Sequence, residues 1–382
     1  MIRVAAAVVA ALGFWALAHH TSDHRYWITD TGVYQKYGDA IAEGSVPYRD
    51  FELEYPPAAL PVFVLPSLGH ERHRAAYDRW FDREMALCWC LVAAGVALLS
   101  RGPIPIALVA TAPVLLGPVI LSRFDAWPAA LAVLALAAFV RRRLAWAAVL
   151  LGVAIGAKLW PAVLLPLAVI ELGRRRGAAF LGGVLAVVAA IFVPFAVIAP
   201  RGLWHSFHQQ FARPLQIESL GSAVLVAIHY LFGLRVGIES TFGSQNLLSP
   251  AADATALATT VLGLLALLLV WWWARDVVVG GAAAVAAFIA FGKVFSPQFM
   301  VWIVPFAAVV PDVAVWILLV AALLLTQTWF PRHYWNLSRG LYGQESLEVL
   351  LRDLVMVALF AVTAWRSRTA SVHLPGLRSR GR

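Results

Sequence analysis

Only three lysines occur in the 382 residues, and two of them, Lys158 and Lys293, lie in or beside long apolar stretches. An ionisable group at membrane depth is expensive and usually functional. Lys158 stands in Ala157-Lys158-Leu159-Trp160-Pro161 and Lys293 in Gly292-Lys293-Val294-Phe295-Ser296-Pro297-Gln298-Phe299. Arg123 and Asp125 share Ser122-Arg123-Phe124-Asp125, and Arg213 opens Arg213-Pro214-Leu215-Gln216-Ile217-Glu218-Ser219. Several cations at one depth suit an anion, most simply a phosphate at lipid-headgroup level. Taken singly, each can instead snorkel to the interface or pair with Asp125 or Glu218.

The carboxylates concentrate in residues 20–73, which hold Asp23, Asp30, Asp39, Glu43, Asp50, Glu52 and Glu54 against Arg25, Lys36 and Arg49. Most of these are solvated surface. Val33, Tyr34, Tyr37, Ala40 and Ile41 fall on one face of a helix over 31–43, with Gly44 as its stop. Asp30 is then at or next to the N-cap, a role worth ~1 kcal/mol. Downstream, Glu54-Tyr55-Pro56-Pro57 breaks the chain, and with Pro61 and Pro66 the segment 58–68 is too interrupted to span. It lies in the interface and re-enters the protein, a course that brings Asp30 and Glu54 toward the cations.

Whether these groups meet depends on the segments that carry them. The chain is 61% hydrophobic and 13% charged, with a mean hydropathy of +0.77. A soluble domain carries roughly a quarter charged residues, so this is a membrane protein. Sixteen tryptophans fit the aromatic belts of a bilayer. The net charge of +9 comes from arginines clustered in short connections (141–143, 174–176) and in the tail (Arg366, Arg368, Arg378, Arg380, Arg382). That is the positive-inside pattern of cytoplasmic loops, and no basic face with interleaved aromatics points to nucleic acid. Cys88 and Cys90 are two apart in an apolar segment, face different sides of a helix and read as packing residues.

With the N-terminus inside, 3–19 crosses outward as an uncleaved first helix, although Arg3 and Ala16-Leu17-Ala18 also resemble a signal peptide. Residues 20–73 lie outside, and 74–100, 104–121 and 125–140 follow as spans. Residues 144–157 and 159–173 make a short hairpin with its tip, Lys158, outward, because both ends carry arginine triplets. Residues 178–199 lead to a second outer region, 200–252, in which 222–234 is re-entrant or interfacial. Spans at 253–274, 277–292, 298–311, 313–330 and 348–365 end in a basic cytoplasmic tail, 366–382. The expectation is an all-α polytopic protein, one domain over 1–382, with about twelve spans (range ten to thirteen) and interfacial helices in the first outer loop. All the cations singled out reach the outer face. Paired half-repeats of a transporter are not evident. His20 and His24 have the spacing of a helical metal pair, but a turn at a membrane exit is the commoner meaning.

Four ordered stretches resemble glycosyltransferase family 87, polyprenyl-phosphate-sugar-dependent mannosyltransferases of the GT-C superfamily. They are Asp30-Thr31-Gly32-Val33-Tyr34 with 48–57; Arg123-Phe124-Asp125 with 158–161; 213–219; and 293–299. The likeness runs from 20 to 310, and beyond 311 it is one of hydropathy only. It implies a GT-C fold with its site at the outer face of the bacterial cytoplasmic membrane, both termini being cytoplasmic. It further implies that Asp30 is the catalytic aspartate, with Asp50 and Glu54 in support. Tyr34, Tyr55, Asp125, Glu218, Ser296 and Gln298 join the expected substrate-binding set, and Lys158, Lys293, Arg213 and Arg123 the phosphate-binding set. No cofactor or metal is expected, although Asp50-Phe51-Glu52 comes close to a DxD pair. The expected partners are a polyprenyl-phosphate sugar and an acceptor hydroxyl on a glycolipid, glycan or other molecule. A carboxylate base and cations for the departing phosphate agree with that chemistry. Arabinofuranose is an alternative sugar. A flippase of lipid-linked glycans and a non-catalytic assembly partner are the alternative functions.

Overall fold

Apolar, small-residue helices dominate the chain because few other elements satisfy their backbone within a low-dielectric phase. The computed structural model describes residues 1–22, 28–341 and 343–369. Helix α1 (Ile2–Thr21) packs Ala7, Ala11, Trp15 and Ala18 against α4 (Arg74–Leu99) and α5 (Ile104–Leu116). Between them lie α2 (Thr31–Ala42) and a bent run, Pro57–Ala59 and α3 (Leu60–Val64) followed by Leu65–Ser67, folded under α2. The prolines that interrupt 58–68 give that bent run, as expected.

The short α6 (Pro118–Leu121) leads into α7 (Ala126–Val140) and then α8 (Leu144–Ala157). A tight turn at Trp160–Leu164 precedes α9 (Leu165–Leu172), and α10 (Arg174–Ile198) runs straight into α11 (Pro200–Phe211). Next come α12 (Leu220–Phe232) and a hairpin of β1 (Gly237–Thr241) and β2 (Ser244–Leu248). The all-helical expectation missed this hairpin. Its turn uses Phe242 and Gly243, both at positive φ, the backbone that lets two strands reverse in two residues. Helices α13 (Ala252–Trp273), α14 (Val277–Ala290), α15 (Met300–Ala308), α16 (Val313–Trp329), α17 (Tyr334–Gly340) and α18 (Gly343–Thr369) complete the fold.

The core is built on α7, α14 and α15, whose residues are nearly all buried. Gly280, Gly281 and Ala282 to Ala284 let α14 approach its neighbours closely, the usual device between membrane helices. By contrast α10 and α13 expose leucines and valines along their length, with Trp272 at the end of α13, as lipid-facing helices do. Cys88 and Cys90 are free and buried.

Nearly every expected apolar segment is a helix within a few residues of its expected bounds. The count of about twelve crossings is not confirmed. Among the described residues three helices, α1, α10 and α13, are long and apolar enough to span by themselves, and α16 with α17, bent by 71°, makes a fourth candidate. The other apolar helices are 10–17 residues long because glycine, proline or a charged residue breaks the chain. At 26 and 27 residues, α4 and α18 have the length but carry charges. Residue 222–234, expected as re-entrant or interfacial, is largely α12, which packs against α18 and α13. His24 and the tail beyond Thr369 lie outside the described residues. His19 contacts Asp82 at 2.7 Å, and among the described residues no three metal-ligating side chains cluster.

Gly38 sits where α2 crosses α3 so closely that a Cβ would overlap the Phe63 carbonyl. Gly38→Val should therefore push α2 off its seat at a cost of about 1–3 kcal/mol. Thermal unfolding in detergent should show a lower midpoint, and an unchanged one would contradict this packing.

Candidate active site

Asp30 occupies the N-cap position of α2, but its backbone is already helical (φ −98°, ψ −2°) and its side chain makes no capping bond. An N-cap side chain normally needs an extended backbone to reach the first free N–H groups. The half-exposed carboxylate is instead paired with Arg123 and accepts a long hydrogen bond from Tyr34 Oη, one helical turn on, at 3.4 Å. Arg123 is buried, and it also donates to the Ile28 carbonyl at 3.2 Å. One guanidinium thus holds the chain entering α2 from both sides.

The break between α6 and α7 carries Asp125 two residues after Arg123. Its Oδ1 accepts from Lys158 Nζ and from Trp302 Nε1, each at 2.6 Å, and its Oδ2 is buried without a hydrogen bond. Lys158 ends α8 and lies over the faces of Phe124 (4.8 Å) and Trp302 (4.9 Å). These contacts place the ammonium in an aromatic box with one anion. Tyr34 and Tyr55 complete the box wall: Tyr34 stacks on Phe63 at 4.7 Å, and Tyr55 meets Phe124 edge-on at 5.0 Å. Burial raises both phenols well above the usual tyrosine range, so they stay neutral. Tyr37, on the same helix, is pushed up to about 12 by burial and by Glu54.

Arg213 follows α11 and is 19% exposed, with only a loose contact to Glu54 at 3.7 Å. Its Nε is buried without a hydrogen bond, so the guanidinium keeps donor capacity for another anion. Beside Glu54 lies the tip of the β hairpin, with Gly243 close enough that a Cβ would touch the carboxylate. Gln210 Nε2 donates to the Glu54 carbonyl at 3.0 Å.

The segment after Arg213 is stitched to the loop after α14. The Gln216 N–H donates to the Lys293 carbonyl (2.9 Å), Gln216 Oε1 accepts from Phe295 N–H (2.9 Å), and its Nε2 donates to Ser296 Oγ (3.0 Å) and to Glu218. Glu218 is buried, and burial pushes its carboxyl up to about 8 against the opposing pull of Arg352 and Arg123. Behind it, Arg352 on α18 is fully buried, bonded to Asp353 at 2.8 Å and to the Glu218 carbonyl.

Most of the expected residues converge: Asp30, Tyr34, Glu54, Tyr55, Arg123, Asp125, Lys158 and Arg213 form one polar and aromatic cluster, while Glu218 and Ser296 meet at Gln216. Lys293 is a neighbour of it but sends Nζ to the Phe211 carbonyl at 2.7 Å, capping α11. Asp50 turns away, bonded to Arg49 and the Val46 N–H, contacts that lower its carboxyl to about 2. Gln298 sits in the turn Pro297–Phe299, half-buried. The sequence reading missed Trp302, Gln216, and the Arg352–Asp353 pair. Two opposite charges inside an otherwise apolar span were the available signal for the last.

A largely helical protein with lipid-facing helices and a carboxylate–cation cluster on its loops fits a membrane protein. The sequence model of glycosyltransferase family 87 matches residues 53–297, and the chain belongs to this family of membrane glycosyltransferases. No curated protein matches it significantly. The matched range contains Glu54, Tyr55, Arg123, Asp125, Lys158, Arg213, Glu218, Lys293 and Ser296, while Asp30 precedes it and Arg352 follows it.

Asp125 is 1% exposed, and removing its cation leaves a buried charge uncompensated. Lys158→Met should cost about 3–5 kcal/mol of stability, and adding Asp125→Asn should recover a large part of it. Unfolding midpoints of the two variants check this; no recovery in the double variant would show that the pair is not the relevant partner.

Proposed function

We propose that this glycosyltransferase moves mannose from a polyprenyl-phosphate donor to an acceptor hydroxyl at the outer face of the bacterial cytoplasmic membrane. Asp30 serves as the general base. The observation that carries this reading is the Asp30 carboxylate itself. It stands at a helix start without capping it, is half-exposed, and is held by Arg123 and Tyr34. A carboxylate so held has a fixed direction and a free face.

In the proposed reaction, Asp30 takes the proton of the acceptor hydroxyl as its oxygen bonds to the anomeric carbon. The bond from that carbon to the phosphate oxygen breaks, and its electron pair leaves with the polyprenyl phosphate. Attack opposite the leaving group inverts the anomeric centre, so a β-linked donor gives an α-linked product. A base within hydrogen-bond reach contributes typically about 10²–10⁴-fold. Arg213, with donors to spare, binds the departing phosphate, and Lys158, Lys293 and Arg123 add positive charge around it. In this reading the cations do the work without a metal ion. The exposed apolar faces of α10 and α13 leave room for the polyprenyl tail beside the protein.

The test uses the full chain in nanodiscs with radiolabelled polyprenyl-phosphate mannose and a bacterial membrane extract as acceptor source. Asp30→Asn should lower label transfer by at least about 10²-fold while donor binding persists. Transfer at near wild-type rate in this variant would refute the base assignment. Arg213→Gln should mainly weaken donor binding, by about tenfold or more, in line with the loss of one charge-assisted contact. Unchanged donor affinity would remove Arg213 from the phosphate site. Transfer from polyprenyl-phosphate arabinofuranose but not from the mannose donor would overturn the choice of sugar.

A further inference from the structure

The β hairpin ends in an unusual pair of residues. β1 and β2 pair from Gly237↔Leu248 to Thr241↔Ser244, so Phe242 and Gly243 alone reverse the chain. Their φ angles are 52° and 65°, the primed turn whose central positions favour asparagine, aspartate and glycine. A phenylalanine at positive φ crowds its Cβ against its own backbone, so it weakens the turn it occupies. Packing does not account for it: Phe242 is half-buried, yet among the described residues it joins neither hydrophobic cluster.

The turn is nonetheless held firmly, and beside the site. Asn246 is fully buried and donates through Nδ2 to the carbonyl and Oγ1 of Thr241, each at 2.9 Å, while Ser244 Oγ donates to Asn246 Oδ1 at 3.0 Å. The Leu247 N–H donates to the Leu215 carbonyl at 2.8 Å and the Ile217 N–H to the Gln245 carbonyl at 3.1 Å, which ties β2 to the segment that begins at Arg213. On the other side, a Cβ on Gly243 would lie 3.4 Å from Glu54 Oε1. The Glu54 carboxylate is 41% exposed, has Arg213 at 3.7 Å, and among the described residues accepts no hydrogen bond.

We propose that Phe242 binds a sugar ring of a substrate by stacking, with the Glu54 carboxylate accepting from that sugar's hydroxyls. This rests on the reading of Arg213 as a phosphate ligand, in which a sugar on the phosphate, or the acceptor sugar facing it, lies next to the hairpin tip. A pyranose has a rim of hydroxyls and a face of C–H bonds. The C–H groups carry slight positive charge and settle on the negative face of an aromatic ring, while a carboxylate with no hydrogen bond of its own takes the hydroxyls. An asparagine at the tip would make the better turn but would offer no such face.

The experiment compares Phe242→Asn, Phe242→Gly and Phe242→Trp with wild type and Arg213→Gln, each as the full chain in nanodiscs with radiolabelled polyprenyl-phosphate mannose and a bacterial membrane extract as acceptor source. Asparagine and glycine suit positive φ, so the unfolding midpoints of those two variants should equal or exceed that of wild type. Both should nevertheless raise the donor KM or the half-saturating amount of extract by about tenfold, and Phe242→Trp, which keeps an aromatic face, should recover most of that loss. A change in donor KM assigns the ring to the donor sugar, and one in the extract requirement assigns it to an acceptor sugar. Unchanged values in Phe242→Asn and Phe242→Gly, or a loss in Phe242→Trp as large as theirs, would overturn the proposal. Unfolding midpoints lowered in both the asparagine and glycine variants would also overturn it, leaving Phe242 a packing residue. Donor affinity unchanged in Arg213→Gln would refute the phosphate assignment, whereas a loss of about tenfold there beside unaffected Phe242 variants refutes this inference alone.

Discussion

A guanidinium taken out of water in an apolar bundle has to be surrounded by acceptors, or the bundle does not form around it. Arg123 meets that demand with the Ile28 carbonyl and Asp30 before α2, and Asp125 stands two residues further along the chain. The first outer loop and the break before α7 are therefore tied to one point. Loosening either segment leaves a buried positive charge short of compensation. The placement of Asp30 is thus a by-product of satisfying Arg123, and needs no separate device.

The rest of the architecture supplies breaks in the right places. Irregular backbone at membrane depth is tolerated only where protein or a polar cavity satisfies it. Here the ends of α6, α8 and α14 are such points, and each carries a charged residue: Arg123 with Asp125, Lys158, and Lys293. The helices that end there are too short to cross a bilayer alone, and their shortness gives the site its room. Long lipid-facing helices, α10 and α13, take the opposite role and shield the interior.

Much of this was legible in the sequence because hydropathy and charge act locally. The segments now seen as α2, α7, α8 and α13 stood out by apolar pattern, and a lysine between two apolar runs marked a break. The family resemblance rested on short motifs around Asp30, Arg123, Lys158, Arg213 and Lys293, and the family match bears out that resemblance. What stayed hidden depends on three-dimensional pairing. Asp30 has the sequence context of an ordinary N-cap, and only the helical backbone at that residue frees its carboxylate. Lys158 and Lys293 looked alike, yet one is held by Asp125 and the other caps α11. The β hairpin is short, polar and without a long alternating pattern, and its strands gain order from pairing with residues 215–217. Arg352 and Asp353 lie within 348–365, which by hydropathy reads as a span.

The distance along the chain between Asp30 and α18 has a consequence for biosynthesis. Membrane helices emerge from the ribosome in order, and the carbonyl of Glu218 waits without its buried guanidinium partner until α18, the last described helix, has been made and docked. The turn at 216–219 thus receives this partner only after α18 has followed the other described helices. A nascent chain threaded through the membrane as far as α17 still lacks that brace, which arrives when α18 closes against α14 and α16.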